Sequence, residues 1–562
     1  MTTFRTRLRV YNPVAEILQV SHPPARRVDD LDGKRIGLYW NMKAGGDVAL
    51  ARAEELLKQR YPQATFAYYR GSVGWMMRHV TPADVAQVAR ECDVVIGTTA
   101  DCGSCTSWLM RDLIEFEKAG VPSVGFVASQ FISDARHSAG SFGIKDLALA
   151  VVPLPFTNQT PDEIRENVDK NIDGVISALT KPLASTHYET KLTLLDDAWL
   201  DFDGTDALAA MDQMNERFLS YGWGDGFPLI PPTEDRVERM LKGTRRDPEE
   251  VVAVMEPGFG MATVRKIAAN AVMAGCRPEF LPVLIAAVEC MAEPKINLRN
   301  KSQSTCPHAP VLWINGPIRE RIGLNSGTCA LGPGAISFAN TAIGRAVRLL
   351  MMNVGHTYPG ISDMDTIGSP TKYSMVVAEN QEKSPWQPFH VDAGFREDES
   401  VVSLLFGCGI CELQDFVNHD PERLTDVYAS AAMNVANVST GGWLLGRRSD
   451  PRSGTNEKEH HVMLICPEHA ERFRAKGWSK SDLQKAMFRK ARMPFETLML
   501  QKEPEAFKES HPELQWLWES PQTMLPVVED PECYEIVVVG GGAGRGAFLY
   551  GTGESQSKVI DE

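Results

Sequence analysis

Two cysteines with CxxC spacing, Cys102 and Cys105, lie in the segment TTADCGSCTSW (residues 98–108). The segment follows an apolar run and begins a predicted helix. A cysteine just before a helix meets unpaired amide groups and the helix dipole, and both stabilise a thiolate. A cysteine in the first turn is placed to attack a sulfenate or a mixed disulfide on the first. The spacing therefore predicts Cys102 as the attacking thiol and Cys105 as its resolving partner.

Two other interpretations of this pair stay open. Two small residues in a tight turn can be buried together without doing any chemistry. Cysteines are also metal ligands, although two of them alone are too few for a zinc site. We therefore predict no metal at this position.

Four polar residues are candidates to assist the thiols. Asp101 is a proton donor or acceptor beside Cys102, although an ionised carboxylate opposes a neighbouring thiolate. Ser104 is a candidate helix cap or hydrogen-bond donor to sulfur. Lys43, in the loop NMKAGGD, is expected to favour the thiolate through its charge. His137, in QFISDARHSAG, is a candidate general acid or base, with a lone surface histidine as the simpler alternative.

The elements that carry these loops alternate between strand and helix over the first third of the chain. Five strands are predicted from the runs KRIGLYW, ATFAYY, DVVIGTT, PSVGFVA and LALAVVPL. Two of the intervening helices begin with Thr-Pro, which favours a helix start. The alternation predicts a flavodoxin-like, doubly wound parallel sheet over residues 1–190. In that fold the loops after the first and third strands meet at one edge of the sheet, and these are the loops of Lys43 and the cysteines.

The sequence DCGSC after a strand resembles the active-site motif of the UGSC family, named for selenocysteine-Gly-Ser-Cys. The resemblance covers roughly residues 30 to 185 and puts Cys102 at the selenocysteine position and Cys105 at the partner position. It implies a redox-active thiol without implying a substrate. Cysteine in place of selenocysteine is the weaker nucleophile and the poorer leaving group. The segments GDGFPLIPPTEDRV and NSGTCALGPG also resemble a region attached to members of this family.

Residues 200–562 are predicted to form a larger α+β domain. Helices are expected at residues 206–221, 262–274 and 281–291, and strands in APVLWING, KYSMVVAE and ESVVSLLFG. Long Pro- and Gly-rich loops separate these elements. Ordered loops of that length usually have a function, so we expect this domain to hold the substrate.

The large domain has its own candidate substrate-binding residues. Cys306 and His308 are two apart, so both side chains leave one face of an extended segment. A Gly-rich loop offers backbone amides for a carboxylate or oxyanion. Arg345 is a candidate anchor for an anionic substrate, and Asp225 lies in a turn that faces the predicted site. The loop contributes Asn325, Ser326 and Cys329. For each of these residues taken alone, a structural role is the simpler interpretation.

Three further motifs are not assigned to the site. The second CxxC, Cys408 and Cys411, has no second CxxC beside it and is not predicted to bind zinc. His460 and His461 precede a strand whose alternation sends the two rings to opposite faces. The glycines after EIVVV invite a dinucleotide interpretation, but too little chain follows for the helix and second strand of that motif. A final strand with a glycine turn is favoured.

Composition restricts the partners. The chain has 562 residues and a formal net charge of −15, spread over mixed-sign stretches, which argues against nucleic acid. It shows neither a signal-peptide core nor an apolar run long enough for a membrane helix. These features indicate a cytoplasmic protein without a membrane partner, whose 11 cysteines are expected to be thiols rather than a disulfide framework.

We interpret the protein as a thiol-type oxidoreductase that attacks or reduces a small organic, anionic substrate between its two domains. Redox chemistry and carbon–heteroatom bond cleavage both fit this interpretation. A lyase or hydratase using thiolate and histidine, and a non-catalytic protein that binds a small molecule or a metal, are the alternatives. No cofactor is assigned. An external thiol reductant is a candidate partner, and a homo-oligomer is left open.

Overall fold

The computed structural model describes residues 6–18, 21–74, 77–183, 193–446, 448–449 and 456–561. No helix within these ranges is both long and apolar enough to cross a membrane. The chain forms an α/β part that contains the CGSC motif and a larger mixed part. Both parts pack helices against a central sheet.

The first part is built on a five-stranded parallel sheet. The strands of this region are β1 (Thr6–Tyr11), β2 (Arg35–Trp40), β3 (Thr65–Tyr69), β4 (Val73–Gly74), β5 (Arg78–His79), β6 (Val94–Ala100), β7 (Ser123–Ala128) and β8 (Ala148–Val152). The helices are α1 (Gly46–Arg60), α2 (Pro82–Glu91), α3 (Gly103–Lys118), α4 (Ile132–Ser141) and α5 (Pro161–Thr180). The parallel sheet has the order β3-β2-β6-β7-β8. All five predicted strands are confirmed, and so is the α/β class.

The two Thr-Pro helix starts are also confirmed. Thr81 and Thr160 each accept a hydrogen bond from the backbone amide three residues later, and the acidic residue there reaches back to the cap. Each of these capping boxes satisfies amides that the first helical turn leaves unpaired. Helix α4 was not predicted, because no capping side chain precedes it.

The larger part contains the remaining elements. Its helices are α6 (Ala207–Tyr221), α7 (Glu234–Leu241), α8 (Val264–Ala274), α9 (Leu281–Met291), α10 (Leu298–Gln303), α11 (Ile318–Arg321), α12 (Phe338–Asn353), α13 (Phe389–Asp392), α14 (Pro421–Ala432), α15 (Pro467–Arg474), α16 (Lys480–Lys490), α17 (Phe495–Leu498) and α18 (Pro504–Ser510). Its strands are β9 (Trp199–Gly204), β10 (Val251–Met255), β11 (Gly260–Thr263), β12 (Ala309–Asn315), β13 (Val376–Ala378), β14 (Val401–Gln414), β15 (Arg448–Ser449), β16 (Asn456–Glu457), β17 (His461–Ile465), β18 (Arg492–Pro494), β19 (Met524–Pro526), β20 (Tyr534–Val538), β21 (Arg545–Gly551) and β22 (Gln556–Val559). The predicted helices and strands of this part are all found.

A mixed sheet organises the larger part. It has the order β13-β12-β14-β21-β17-β20, and β22 pairs with β14. Strand β12 is apolar up to its last residue, Asn315. Its Leu312 and Ile314 join one core cluster, while Val311 and Trp313 join another. Alternate side chains of a strand face opposite sides, so both faces of this sheet are covered.

The C-terminal glycines lie in a turn between two strands of this sheet, β20 and β21. The amides of Ala543 and Gly544 donate to the carboxylate of Glu468 at 2.7 and 2.8 Å. An internal carboxylate thus occupies the amides that a dinucleotide phosphate would use. The sequence-based choice of a strand and glycine turn is confirmed.

The N-terminal strand does not pack with the predicted first domain of residues 1–190. Strand β1 pairs antiparallel with β9, and Val10, Val14 and Ala15 lie in the core of the larger part. The α/β core instead begins at Leu31. Part of the predicted domain boundary, residues 184–192, lies outside the described residues.

Candidate functional site

The cysteine pair lies at the N-terminus of α3. Cys102 is the N-cap residue, and its sulfur accepts a hydrogen bond from the backbone amide of Cys105 at 3.2 Å. The two sulfurs form a disulfide in this structure. Cys102 is partly exposed, whereas Cys105 is buried. The more accessible sulfur is therefore the one held at the positive end of the helix dipole.

A charged pair lies against the buried cysteine. The ammonium of Lys43 is 3.2 Å from the sulfur of Cys105 and 2.5 Å from a carboxylate oxygen of Asp101. The other oxygen of Asp101 accepts from the amide and hydroxyl of Thr157 at 3.3 and 3.2 Å. The hydrogen bond of Lys43 thus goes to Cys105, whose sulfur is bonded to that of Cys102, the thiol that Lys43 was expected to assist.

Ser104 is buried in the first turn of the helix, and its hydroxyl lies 3.8 Å from the sulfur of Cys102. The capping role that the sequence offered to Ser104 belongs to Cys102 itself. A hydroxyl at this distance contributes a weak polar contact to sulfur.

The loops after the first and third strands of the sheet meet, as the strand order requires. Asn41 donates its side-chain amide to the carbonyl of Thr99 at 2.9 Å. A Cβ on Gly46 would lie 2.3 Å from the hydroxyl of Thr99, so only glycine allows this close packing. The Gly-Gly sequence in NMKAGGD therefore brings Lys43 to the thiols.

The larger part contacts the CGSC motif directly. A Cβ on Gly103 would lie 1.5 Å from the carbonyl oxygen of Gln303 and 2.8 Å from Cβ of Met364. The glycine of the motif is thus needed for the end of α10 to reach the start of α3. The thiol site borders both parts of the molecule.

A buried polar seam continues this contact. Arg299, fully buried on α10, donates to the hydroxyl of Ser107 at 2.9 Å and to Glu256 at 3.3 Å. Its guanidinium carbon is 4.1 Å from the ring centroid of Phe142 and 4.9 Å from that of Phe259. A buried arginine is tolerated where a carboxylate and aromatic faces compensate its charge.

His137 belongs to this seam. Burial, together with the charges of His356 and Arg299, lowers the pKa of His137 to about 3. The ring is therefore neutral near pH 7, and its Nδ1 makes no hydrogen bond to any described residue. Its electrostatic neighbours lie in the seam, and no hydrogen bond joins it to the sulfurs of the pair within the described part of the chain.

Cys306 and His308 come shortly after Gln303, the residue of the larger part that contacts Gly103. Gln303 touches Gly103, and Cys306 comes three residues later, partly exposed. His308 is buried, and its amide donates to the carbonyl of Cys306 at 2.8 Å, a local turn rather than the expected extended segment. The segment STCPH therefore starts at the thiol site and leads into β12.

The other predicted substrate residues gather elsewhere, on the larger part. Asp225 and Arg345 form a bidentate ion pair, with distances of 2.7 and 3.0 Å, so each compensates the other's charge. Asn325 uses its side-chain amide to hold the backbone of Thr328 and the hydroxyl of Ser337. These residues are thus held by partners within the larger part, and no hydrogen bond to the cysteine pair is found for them among the described residues.

The Gly-rich loop that contains Asn325 is itself packed by the C-terminal glycine turn. The carbonyl of Ser326 accepts from the amide of Gly540 at 2.8 Å. Cys329 is an exposed free thiol with a left-handed backbone at φ 59°. Ser326 and Cys329 thus shape this loop and its surface.

Glu503 is a site residue that sequence reasoning missed. It directly precedes α18 and is half-buried, and burial raises the pKa of Glu503 while the charge of Lys43 lowers it and that of Asp101 raises it. Arg78 anchors the same helix to the α/β part through an ion pair with Glu509 at 3.0 Å. Nothing in the local sequence distinguishes this glutamate, since only the tertiary fold brings it here.

The described residues offer no group of ligands for the alternative in which the protein binds a metal ion. Within residues 6–561, excluding the undescribed gaps, no three His, Cys, Asp or Glu side chains are grouped to hold a metal ion. Cys408 and Cys411 both lie in β14, and the sulfur of Cys408 donates to Asn437 at 3.2 Å.

Comparison with known proteins identifies the first part. The model of the UGSC family matches residues 9–181, which include the CGSC motif and all five strands of the parallel sheet. No curated protein matches the chain. The attached larger part lies outside the match. The family match is therefore to the N-terminal part of the chain, residues 9–181, which is similar to the UGSC family.

Proposed function

We propose that the protein is a thiol-dependent oxidoreductase that reduces a small organic substrate at the Cys102–Cys105 pair. The observation that carries the proposal is the position of the pair: the first turn of α3, joined as a disulfide, with Lys43 beside one sulfur. Helix N-termini and nearby cations are the settings in which protein thiols become reactive.

The reduction uses one dithiol per substrate. The thiolate of Cys102 attacks an electrophilic heteroatom X of a substrate R–X, the S–X bond forms as R–X breaks, and R leaves with the bonding pair and takes a proton. Cys105 then attacks the sulfur of Cys102, the disulfide forms, and X leaves with the S–X pair and takes a second proton. The substrate gains two electrons and two protons. An external dithiol then reduces the disulfide.

The neighbouring charges have separate roles in this scheme. Lys43 stabilises negative charge on Cys105, the sulfur it touches, when that thiol resolves the intermediate. Asp101 holds Lys43 in place through their ion pair. Glu503, whose burial raises its pKa, is the candidate donor of the proton that a leaving group takes.

The proposal includes a flavodoxin-like fold for the first part and a substrate site shared between the parts. The sheet places its first strand between the second and third, which supports that fold. Gln303 and Met364 approach the motif at Gly103, which supports a contribution from the larger part. A seam between two parts of a chain is a common place for a substrate site.

The test is to incubate the reduced full-length protein with a small disulfide (cystamine), an alkyl hydroperoxide and a sulfoxide. Free thiols are then alkylated and mapped by mass spectrometry. At least one probe is expected to oxidise Cys102 and Cys105 together, ahead of every other thiol. Cys329→Ser, which removes an exposed thiol elsewhere, should leave the rate unchanged.

A second variant tests the order of attack. Cys105→Ser removes the resolving thiol, so the adduct or sulfenate on Cys102 should persist. If the pair reacts with every probe no faster than Cys329, and Cys105→Ser traps nothing, the oxidoreductase proposal is wrong and the lyase alternative gains.

A further inference from the structure

A cavity of about 670 Å³ opens in the larger part. It lies between the turn at residues 227–228, the loop at residues 330–333 and the start of α12. Its volume falls within the roughly 300–1,000 Å³ of typical small-molecule sites. None of the residues that line it belongs to the cysteine pair or to its charged neighbours.

The wall of this cavity is mostly apolar. Leu331, Tyr373 and Val376 are among its lining residues, and Phe227 meets Tyr373 edge to face with ring centroids 5.5 Å apart. Phe227 and Tyr373 remain half-exposed, at 51% and 59%. Exposed aromatic rings at the mouth of an apolar cavity offer favourable contacts to another ring.

The cavity is held open by hydrogen bonds of its own framework. Asn340 donates to the carbonyls of Asn325 and Val376, both at 3.1 Å, which ties the Gly-rich loop to β13. Ser337 donates to the carbonyl of Cys329 at 3.0 Å. A preformed site costs a ligand little ordering of the protein.

The guanidinium of Arg345, in the cavity wall, does not use all of its hydrogen-bond donors within the described part of the chain. Arg345 uses Nε and Nη2 for Asp225 and for the carbonyls of Phe227 and Pro228. Its Nη1 makes no hydrogen bond to a described residue. A guanidinium is a rigid fork of donors, so Nη1 suits an oxygen acceptor on a bound molecule.

We propose that this cavity binds a small aromatic molecule that carries one oxygen acceptor group, with the ring against Leu331 and Tyr373 and the acceptor at Arg345. The site is distinct from the thiol site and needs no reaction there. The concave shape and the unused Nη1 of Arg345 favour a small molecule over a flat partner surface.

The first experiment titrates the full-length protein with 8-anilinonaphthalene-1-sulfonate, an aromatic sulfonate whose fluorescence rises in apolar sites. One saturable site per chain is expected. Leu331→Asn should weaken binding about tenfold. Leu208→Asn, the same change at an exposed leucine of α6, should leave it unaltered. Both side chains are exposed, at 40% and 72%, so neither variant disturbs a core.

A competition experiment tests the acceptor. Benzoate should displace the dye at about a tenfold lower concentration than toluene, which has the same ring without the oxygens. The proposal is overturned if no saturable binding occurs, if both leucine variants bind alike, or if toluene competes as well as benzoate. It is also overturned if sedimentation shows a dimer that Leu331→Asn dissociates, because the face would then bind a second copy of the chain. None of these outcomes depends on the activity of Cys102.

Discussion

The chain carries two CxxC sequences in different elements, and the difference between them decides their chemistry. Cys102 and Cys105 occupy the first turn of a helix, with an amide donating to one sulfur and an ammonium beside the other. Cys408 and Cys411 occupy strand β14, where the pairing with β21 shifts register between Gly407 and Ile410. The first pair is joined as a disulfide, whereas Cys408 and Cys411 are not joined to each other.

Spacing alone therefore does not define a redox pair. In a helix, residues three apart lie on one face, and the N-terminus supplies amides and a positive dipole. A strand supplies neither, and the sulfurs of β14 instead donate to neighbouring oxygens: that of Cys408 to Asn437 and that of Cys411 to the carbonyl of Glu412. The reactivity proposed for the first pair therefore rests on the helix that it begins.

The largest expected difference is in thiol reactivity. Limiting iodoacetamide at pH 7 should alkylate Cys102 of the reduced protein at least a hundredfold faster than Cys408, because helix amides favour the thiolate and burial opposes it in β14. Mass spectrometry of peptides after short exposures gives both rates. Cys102→Ser should abolish oxidation by the reactive probe, and Cys408→Ser should leave it intact. Faster labelling of Cys408 would reverse the comparison.

The sequence predicted the framework of the first pair well, because its signals are local. Strand-like apolar runs and Thr-Pro caps locate the α/β elements, and the alternation of strand and helix brings Lys43 close to the cysteines. The pairing of β1 with β9 was missed because it joins distant parts of the chain. The alternation of residues within a strand does not show which other strand it pairs with.

The surroundings of the pair were less predictable, since they come from tertiary contacts. Asp225 and Arg345 each looked fully available to a substrate, yet they pair with each other, and only Nη1 of Arg345 is left for a ligand within the described part of the chain. Glu503 has no sequence signal that marks it, because only the packing of α18 brings it near Lys43. A sequence does not show which of its charged side chains come into contact in the folded protein.

The second prediction concerns the contact that only the first pair has with a second part of the molecule. Gly103→Ala places a methyl group where the carbonyl of Gln303 lies, so the two parts must separate locally. We expect the free energy of unfolding to fall by about 3 kcal/mol. Urea denaturation measures the change.

Gly174→Ala is the matched control for this variant. That glycine is exposed in α5 with nothing near its Cβ position, so alanine should stabilise the helix by roughly 0.5–1 kcal/mol. Equal stability of the Gly103→Ala and wild-type proteins would show that the contact with α10 is not tight in solution.

The third prediction uses pH to isolate the polar seam beside the first pair. Burial lowers the pKa of His137 to about 3, against about 6.5 in an unfolded chain. Below pH 6.5 the unfolded chain therefore takes up a proton that the folded protein does not. The contribution of His137 to the free energy of unfolding should therefore fall by up to about 1.4 kcal/mol per pH unit as the pH decreases from 6.5 toward 3.

His137→Gln removes this contribution, so its stability should depend less steeply on pH than that of the wild type between pH 6 and 4. Other groups of the seam are present in both proteins, so the difference between the two slopes reports on His137. One such group is Asp134, whose pKa is raised by burial. His419→Gln, a change at an exposed histidine, should keep the wild-type slope. Parallel slopes for His137→Gln and the wild type would place His137 in contact with solvent.

The smallest expected effect separates the two sulfurs within the first pair. Lys43 touches Cys105, so Lys43→Met should slow resolution by Cys105 about tenfold, since a hydrogen bond to a charged group contributes about 1.5 kcal/mol or more. The first attack by Cys102 depends on the helix amide and should change little. Quenched alkylation at successive times measures the lifetime of the adduct on Cys102.

Lys118→Met, at the other end of α3, is the control and should match the wild type. If Lys43→Met instead slows the first attack and leaves resolution unchanged, the charge acts on Cys102, and the assignment of roles within the pair must be reversed.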